Sequence, residues 1–242
     1  LIGNPNTGKT SLFNQLTGLN QKVGNYPGVT VDKKEGECKL SSTHTAIITD
    51  LPGTYSINPT SLDESIVLKT LLNRSITSTP DVILVIADVE NLKRNLLLFS
   101  QIKDLEVPTV LAINMVDQMH RKGITIDLSL LKKELNTEVV LISARKNEGI
   151  NEVKAAIIRC HVAAKASPLC GIDHKIDPDY FAKLKEISPN YSLYELWLMV
   201  TQNNYPESIS SAEKQKLLAF KKDVSKLKKY QHKETIYRYQ EI

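Results

Sequence analysis

The sequence predicts an α/β protein with a mostly parallel six-stranded sheet, followed by a small all-helical domain. Residues 3–10 fit G-x-x-x-x-G-K-[ST], the spacing of a phosphate-binding loop, directly after the apolar pair Leu1-Ile2. Continuous apolar runs such as 81–88 (DVILVIAD), which suit strands buried on both faces, alternate with amphipathic helical stretches. After about residue 165 no strand pattern is evident, and prolines separate short helical segments.

Composition limits the class of protein. The 242 residues are 41% hydrophobic and 24% charged, as in an ordinary soluble globular protein of one large or two modest domains. A net charge of +4 does not require a nucleic-acid partner. Three scattered cysteines favour a reducing compartment over a disulfide framework. The longest apolar run, 82–87, is far shorter than the roughly 20 residues of a membrane helix.

The loop at residues 3–11 predicts binding of nucleotide phosphates. Its glycines allow backbone N–H groups to wrap around a phosphate, and the helix expected to follow adds its positive dipole end. Lys9 can reach the β- and γ-phosphates, and the Thr10 hydroxyl can ligate Mg²⁺. A strand of about five residues should precede such a loop, so we expect a few residues upstream of Leu1. The expected loop contacts are Gly3, Asn4, Pro5, Asn6, Thr7, Gly8, Lys9, Thr10 and Ser11.

The remaining elements alternate along the chain. The polar stretch 21–34 has no helical period and is expected to be a long loop. Strands are expected at 1–2, 37–40, 45–49, 81–88, 109–113 and 139–142. Helices are expected at 9–16, 61–73, 91–106, 128–135 and 150–162. Because the motifs lie at the carboxyl ends of strands, they should meet at one edge of the sheet.

A D-x-x-G tetrapeptide, Asp50-Leu51-Pro52-Gly53, ends the third of these strands. Asp50 can hold the water shell of Mg²⁺, and the Gly53 N–H can touch a γ-phosphate. The tetrapeptide alone is weak evidence. Its position, one strand pair after the phosphate loop, gives it weight.

Residues 114–117 have the form N-x-x-D, which can recognise guanine. The Asp117 carboxylate can accept from N1–H and N2–H₂ of guanine, whereas adenine would leave it unpaired. Such a site rejects the wrong base by about 10⁴-fold or more. The Ala144 N–H is expected to meet the guanine O6. A helix N-cap explains the tetrapeptide equally well when it is taken alone.

In order, Gly3–Ser11, Thr30, Asp50–Gly53, Asn114–Asp117 and Ser143–Arg145 resemble the five motifs of small GTPase domains. The longer stretches at 25–31 (NYPGVTV), 50–56 (DLPGTYS) and 114–117 (NMVD) are similar to the cytosolic N-terminal region of ferrous iron transport protein B (FeoB). The resemblance covers residues 1 to about 162. It implies a P-loop GTPase domain at 1–165 and a helical regulatory, GDI-like domain at 166–242 that favours the GDP-bound state.

The resemblance also implies cofactors and partners. It implies a GTP-hydrolysing switch on the cytoplasmic face of the bacterial inner membrane, belonging to an Fe²⁺ transporter. Its cofactors are GTP or GDP, Mg²⁺ and K⁺. Its partners are the protein's own transmembrane permease region, absent from this chain, and small accessory Feo proteins. An oligomer is compatible with this family, and no nucleic-acid partner is expected.

Site roles follow from the same resemblance. The expected switch I contacts are Gly28, Val29 and Thr30, and the expected base contacts are Asn114, Met115, Asp117, Ser143, Ala144 and Arg145. Mg²⁺ is expected on Thr10, Thr30 and Asp50, and K⁺ on Asn6. Catalysis is assigned to Lys9, Thr30, Gly53 and Asn6. The monovalent ion would supply the charge that an arginine finger brings elsewhere.

Two positions depart from Ras-like proteins. Thr54 stands where they carry a water-positioning glutamine, which predicts slow intrinsic hydrolysis with water held by backbone or switch I groups. Met115 replaces the lysine of N-K-x-D, which predicts apolar packing over the base, weaker binding and faster exchange.

The second half predicts helices at 179–187, 193–201 and 212–230 around an aromatic core. Residues 214–233 hold eight lysines and one acid, which suits either an anionic membrane surface or a solvated helix face. The solvated face is favoured, with inward apolar residues Leu217, Leu218, Phe220, Val224 and Leu227. The spacing of Cys160, His161, Cys170 and His174 fits no standard metal module.

Two other functions are compatible with the motifs. A soluble ribosome- or tRNA-associated GTPase shares the superfamily, but the second half carries no recognisable RNA-binding module. An inert nucleotide-binding scaffold also remains open, because the glutamine is missing.

Overall fold

The computed structural model describes residues 1–19, 21–26, 32–59, 61–73, 79–163 and 166–242. The described strands are β1 Ile2–Gly3, β2 Gln21–Asn25, β3 Asp32–Lys39, β4 Thr45–Asp50, β5 Ile83–Asp88, β6 Thr109–Asn114 and β7 Glu138–Leu141. A parallel sheet has the order β1-β5-β6-β7, and an antiparallel sheet has the order β2-β3-β4.

The two sheets meet at Leu1. Its nitrogen donates to the Thr49 carbonyl oxygen at 2.8 Å, and its own carbonyl oxygen accepts from the Leu51 N–H at 3.0 Å. This is the bonding pattern of adjacent parallel strands, so β4 continues the sheet beside β1.

The predicted count of six strands is wrong, because the described residues form seven. The additional strand, β2, lies within the stretch that was expected to be a loop, and β3 begins five residues earlier than predicted. The side chains at 22–25 are exposed, Val23 to 61%. A strand held by backbone pairing alone leaves no alternating apolar pattern in the sequence.

Helices cover both faces of the parallel sheet. The helices in the first part of the chain are α1 Lys9–Thr17, α2 Leu62–Leu72, α3 Leu92–Lys103, α4 Val116–Arg121, α5 Leu128–Glu134 and α6 Ile150–Ala163. A 3₁₀ turn, Val89–Asn91, precedes α3. Helix α1 ends at Gly18, which has the left-handed conformation common at helix ends. Helix α4, which begins inside the N-x-x-D motif, was not predicted.

The described part of 166–242 is helical. Its helices are α7 Asp173–Ile176, α8 Pro178–Lys185, α9 Leu193–Gln202, α10 Ser211–Phe220 and α11 Val224–Glu241. The single helix predicted over 212–230 is two helices. Asp223 breaks it, because its carboxylate accepts from the Lys226 N–H at 2.8 Å and starts α11 with a new N-cap.

Strand β5 shows how the core is divided. Leu84 and Ile86 pack on one face with residues of α1 and α6. Val85 and Ala87 pack on the other face, in a cluster that includes Phe99 of α3 and continues through α9 and α11. The helical part therefore shares its apolar core with the α3 side of the sheet.

A buried ionic network also joins α11 to the end of α3. The Arg238 side chain is fully buried, and its guanidinium lies 2.8 Å from the Asp104 carboxylate and 2.9 Å from the Glu234 carboxylate. Glu234 also accepts from the Tyr194 hydroxyl and the Trp197 indole N–H, each at 2.8 Å. Charged and aromatic groups thus fix α11 against α3 and α9.

None of the helices in the described ranges is both long enough and apolar enough to cross a membrane.

Candidate nucleotide-binding site

The loop between β1 and α1 is shaped by its glycines. A Cβ on Gly3 would lie 2.5 Å from the Ile86 carbonyl oxygen. Gly8 has φ +86°, and a Cβ there would lie 2.2 Å from the Asn114 side-chain nitrogen. Both contacts are too close for any side chain, so the loop packs against β5 and the end of β6 only with glycine at these positions.

Lys9 and Asp50 face each other across the site. The Lys9 ammonium donates to the Asp50 carboxylate at 2.5 Å, and the side chains are only 13% and 7% exposed. Asp50 ends β4 and Lys9 begins α1, so the fold brings together two residues 41 positions apart. The predicted phosphate lysine and the predicted Mg²⁺ aspartate are therefore neighbours.

Tyr26 contacts Asp50 of this pair through its hydroxyl group. Its hydroxyl donates to the Asp50 carbonyl oxygen at 3.3 Å, and the ring is buried. Burial raises the pKa of Tyr26 to about 12, and the nearby carboxylates of Asp50 and Glu35 contribute by opposing a phenolate charge. Tyr26 is therefore a neutral hydrogen-bond donor at physiological pH.

The D-x-x-G segment lies directly on the phosphate loop. A Cβ on Gly53 would lie 3.3 Å from Pro5, and the Thr54 N–H donates to the Gly3 carbonyl oxygen at 3.2 Å. The Thr54 side chain is completely buried, and its hydroxyl lies 2.5 Å from the Ser56 carbonyl oxygen and 3.0 Å from the Glu64 carboxylate. The hydroxyl that stands in the place of a Ras-like glutamine is thus engaged within the protein.

The N-x-x-D motif connects two loops. The Asn114 side-chain amide donates to the Thr7 carbonyl oxygen at 2.8 Å and accepts from the Ala144 N–H at 3.0 Å. Asp117 accepts from the Ser143 hydroxyl at 3.0 Å, and its side chain is 11% exposed. One amide therefore fixes the phosphate loop relative to the loop at 143–145.

The Ala144 N–H, which was expected to meet the guanine O6, donates to the Asn114 side chain in this structure. The reason is that Asn114 is 4% exposed, and its buried amide oxygen takes a donor from the neighbouring loop. Asn114 therefore links the two loops, and its assignment as a base contact stays a prediction.

The structure places the other predicted residues as follows. Asn6, with φ +66°, and Thr10, Ser11 and Arg145 are exposed around the loops, whereas Leu51 is buried in the core. Met115 has φ +70° at the start of α4 and packs against the core, with partial exposure. Gly28, Val29 and Thr30, which were assigned to switch I, lie outside the described residues.

Comparison with known proteins decides the family. The family model for ferrous iron transport protein B matches residues 1–157. The chain belongs to the ferrous iron transport protein B family. The resemblance expected from the motifs is therefore confirmed, and the alternative of a ribosome-associated GTPase loses its support.

Curated FeoB relatives are similar over the same part of the chain. The chain is 46% identical over 157 residues to the Fe(2+) transporter FeoB of Leptospira biflexa, covering 65% of this chain and 22% of the relative. It is 42% identical over 163 residues to that of Escherichia coli K12, covering 66% and 20%. The chain thus spans about a fifth of the length of these relatives.

Solved FeoB structures resemble nearly the whole chain. The cytosolic domain of L. pneumophila FeoB has a TM-score of 0.79 and 34% identity, covering 99% of this chain and 94% of its own. The GMPPNP form from T. maritima has a TM-score of 0.83 and 27% identity, covering 99% and 93%. The fold is therefore that of a FeoB cytosolic region, an α/β P-loop GTPase fold with a parallel sheet.

Sequence reasoning missed two glutamines that contact the segment after Gly53. The side-chain amide oxygen of Gln101 accepts from the Ser56 hydroxyl at 3.0 Å and from the Ile57 N–H at 3.1 Å. The Gln202 amide, at the end of α9, donates to the Asn58 side chain at 3.0 Å. Their partners lie 44 to 144 residues away, so no local pattern marks either glutamine.

Proposed function

We propose that this chain binds GTP and GDP with Mg²⁺ and hydrolyses GTP slowly. The observation that carries the proposal is that the phosphate loop, Asp50 and the N-x-x-D motif converge at one sheet edge, joined through the Lys9–Asp50 and Thr7–Asn114 hydrogen bonds. Relatives of the same fold support it, since a mutant of S. thermophilus NFeoB was solved bound to GDP and T. maritima FeoB in a GMPPNP form.

The loop fits a phosphate ligand. No side chain caps the N-terminus of α1, so its first N–H groups are available to an anion. Asn4 is 3% exposed, and neither polar atom of its side chain has a hydrogen-bond partner among the residues that the structure describes. Buried polar atoms of this kind are typical of functional sites. On nucleotide binding, Lys9 exchanges the Asp50 carboxylate for phosphate oxygens.

The released Asp50 carboxylate and the exposed Thr10 hydroxyl are oxygen donors, which Mg²⁺ prefers. We assign Mg²⁺ to these two residues, with Thr30 as a further ligand in the GTP state. When bound, the ion neutralises charge on the β- and γ-phosphates. Lys9 orients the γ-phosphate, and the Gly53 N–H donates to it.

Guanine specificity rests on Asp117, and nucleotide competition tests it. We expect GDP to displace a fluorescent GDP analogue at least about 10⁴-fold more effectively than ADP, because guanine presents N1–H and N2–H₂ to the Asp117 carboxylate and adenine lacks this pair of donors. Asp117→Asn should abolish this preference. The matched control is Asp81→Asn, which removes an exposed carboxylate away from the site. Equal displacement by ADP and GDP in the unaltered chain would contradict the proposal.

Potassium dependence is the further part of the proposal. Asn6 lies exposed on the loop in the left-handed conformation, where its side chain can hold a monovalent cation beside the phosphates. We expect GTP hydrolysis to be faster in KCl than in matched NaCl, and Asn6→Ala to remove the difference. Negligible and equal rates in both salts would require the mechanism to be withdrawn.

Thr54→Ala separates this mechanism from one that uses a side chain to position water. The Thr54 hydroxyl is buried and bonded to Ser56 and Glu64, so its loss should leave single-turnover hydrolysis within about tenfold. A thousandfold loss with nucleotide binding intact would show that Thr54 takes part in the chemical step.

For the helical part we propose regulation of nucleotide release, with the domain boundary near residue 165. Gln202 of α9 bonds directly to Asn58, five residues after Gly53, and so restrains the segment that contacts the phosphate loop. Loss of one hydrogen bond, about 1 kcal/mol, corresponds to roughly fivefold faster GDP release for Gln202→Ala. The control is Gln215→Ala on the exposed side of α10. Unchanged release in stopped-flow measurements would refute this coupling.

We further propose that the chain is the cytosolic part of an Fe²⁺ transporter at the bacterial inner membrane, with the permease region and small accessory Feo proteins as partners. The support is that relatives named Fe(2+) transporter FeoB are 42–46% identical and that the chain matches only 20–22% of their length. Radioactive Fe²⁺ uptake by cells that carry the full-length protein tests this. Lys9→Ala should reduce uptake at unchanged protein level, and equal uptake would contradict it.

A further inference from the structure

Positive charge is concentrated in one stretch of the helical part. Residues 214–233 contain eight lysines and one acidic residue, although the entire chain carries only +4. The rest of the chain is therefore net negative. Such segregation produces a local positive potential that a uniformly charged surface would lack.

Apolar side chains are exposed among these lysines. At the corner between α10 and α11, Leu218 is 42% exposed and Val224 is 56% exposed. The sequence had placed both inward together with Leu217 and Leu227, which are indeed buried. Leu217 and Leu218 are consecutive residues of α10 and so point in different directions, and only Leu217 faces the core. Val224 is the first residue of α11, directly after the break at Asp223.

Two of the lysines share a helix face with these apolar residues. Lys214 lies four positions before Leu218 within α10, and Lys228 lies four positions after Val224 within α11, whereas Lys221 and Lys222 follow the end of α10. Residues at these spacings are neighbours on a helix surface. Each exposed apolar side chain thus has a lysine as a neighbour on its own helix.

A shallow concavity of about 390 Å³ lies at the same corner. Tyr180, Phe220 and Leu227 give it an apolar lining, and its charged lining residues are Lys222, Lys226 and the single acid Asp223. The Lys226 ammonium lies 5.1 Å from the Tyr180 ring centroid and 3.3 Å from the Asp177 carboxylate. The corner therefore offers apolar surface next to an excess of lysines over acidic residues.

We propose that the α10–α11 corner docks onto an anionic lipid surface. The lysines contact headgroup phosphates, while Leu218 and Val224 enter the boundary between headgroups and acyl chains. Charge complementarity favours this partner, and the exposed aliphatic side chains favour lipid over nucleic acid, which is bound by stacking on exposed aromatic rings. The proposal does not depend on GTP hydrolysis.

Vesicle co-sedimentation of the complete 242-residue chain tests the proposal. We expect binding to vesicles of phosphatidylcholine with about 30% phosphatidylglycerol at about 0.1 M salt, and little binding to phosphatidylcholine alone. Replacing Lys221, Lys222 and Lys228 with Gln should lower partitioning by about a hundredfold, at roughly fivefold for each lysine. The control replaces three exposed lysines elsewhere, Lys39, Lys133 and Lys146, and should retain binding.

The apolar contribution has its own variant. Leu218→Ser with Val224→Ser keeps every charge and should weaken binding about tenfold, whereas purely electrostatic attraction would leave it unchanged. Circular dichroism confirms that each variant is folded. The proposal is overturned by equal sedimentation with neutral and anionic vesicles, or by a control triple that loses as much binding as the corner triple. It is also overturned if the serine variant binds as tightly as the original chain.

Discussion

Replacing Arg238 with Met tests whether the network between α11 and α3 stabilises the fold. Arg238 is fully buried, and its guanidinium contacts the carboxylates of Asp104 and Glu234 and lies 4.5 Å from the centre of the Tyr194 ring. Methionine fills much of the same volume but carries no charge. The substitution therefore removes the cation and leaves two buried carboxylates behind.

The expected loss in the free energy of unfolding depends on the hydrogen bonds that the two carboxylates retain. Asp104 still accepts from the backbone N–H groups of Leu169 and Cys170, at 2.7 and 3.0 Å, and Glu234 keeps Tyr194 and Trp197. Hydrogen bonds satisfy the oxygens but do not neutralise two negative charges away from water. Breaking a buried ion pair in this way costs about 3–5 kcal/mol. For a chain of this size the loss lowers Tm by about 6–20 °C.

The assay is urea unfolding followed by circular dichroism, with Arg159→Met as the matched control. Arg159 pairs with Glu138 at 2.9 Å, but its side chain is 55% exposed, so its loss should cost at most about 1 kcal/mol. Adding Glu234→Gln to Arg238→Met should recover part of the stability, because one unpaired charge is removed. A loss for Arg238→Met no larger than that for Arg159→Met would refute the reasoning.

Three further predictions concern other parts of the chain. Gly8→Ala should abolish binding of a fluorescent GDP analogue, because its Cβ meets Asn114, whereas Gly18→Ala, with φ +60° but nothing within 4 Å, should retain binding at a small cost in stability. Since the pKa of Tyr26 is about 12 when folded and near 10 when unfolded, stability should fall by about 2 kcal/mol between pH 10 and 12, and less in Tyr26→Phe, as measured by urea unfolding. Burial raises the pKa of the Cys38 and Cys170 thiols, so a disulfide reagent at about pH 8 should label both rapidly in urea and slowly in the folded protein.

The sheet and the phosphate loop were predictable because their determinants are local. The loop needs a residue with positive φ at position 8, and glycine adopts this conformation readily. The apolar run at 81–88 requires apolar packing on both faces of its strand. The end of α1 at Gly18 likewise depends on a few adjacent residues.

Other elements of the structure leave no clear pattern in the sequence. Strand β2 has no apolar alternation, and only its backbone pairing with β3 defines it as a strand. The break between α10 and α11 depends on one residue, Asp223, whose side chain caps the start of α11. The composition of this stretch does not indicate the break. The Ala144 N–H was assigned to a ligand, since no pattern in the sequence shows that Asn114 accepts from it.

Helix α3 connects the segment after Gly53 to helix α11. Its Gln101 holds the segment after Gly53, and three residues later, one turn along the helix end, Asp104 holds Arg238 of α11. A displacement of α11 would therefore act on a helix that already contacts the nucleotide-site segment, without any need for a new contact. Gln202 gives the helical part a second, direct attachment to the same segment at Asn58.

Two attachments at different points restrain both position and orientation, so loss of either alone should loosen the segment after Gly53 less than loss of both. The double variant Gln101→Ala with Gln202→Ala should accordingly release GDP faster than the product of the single effects, and a strictly multiplicative result would show that the two attachments act independently.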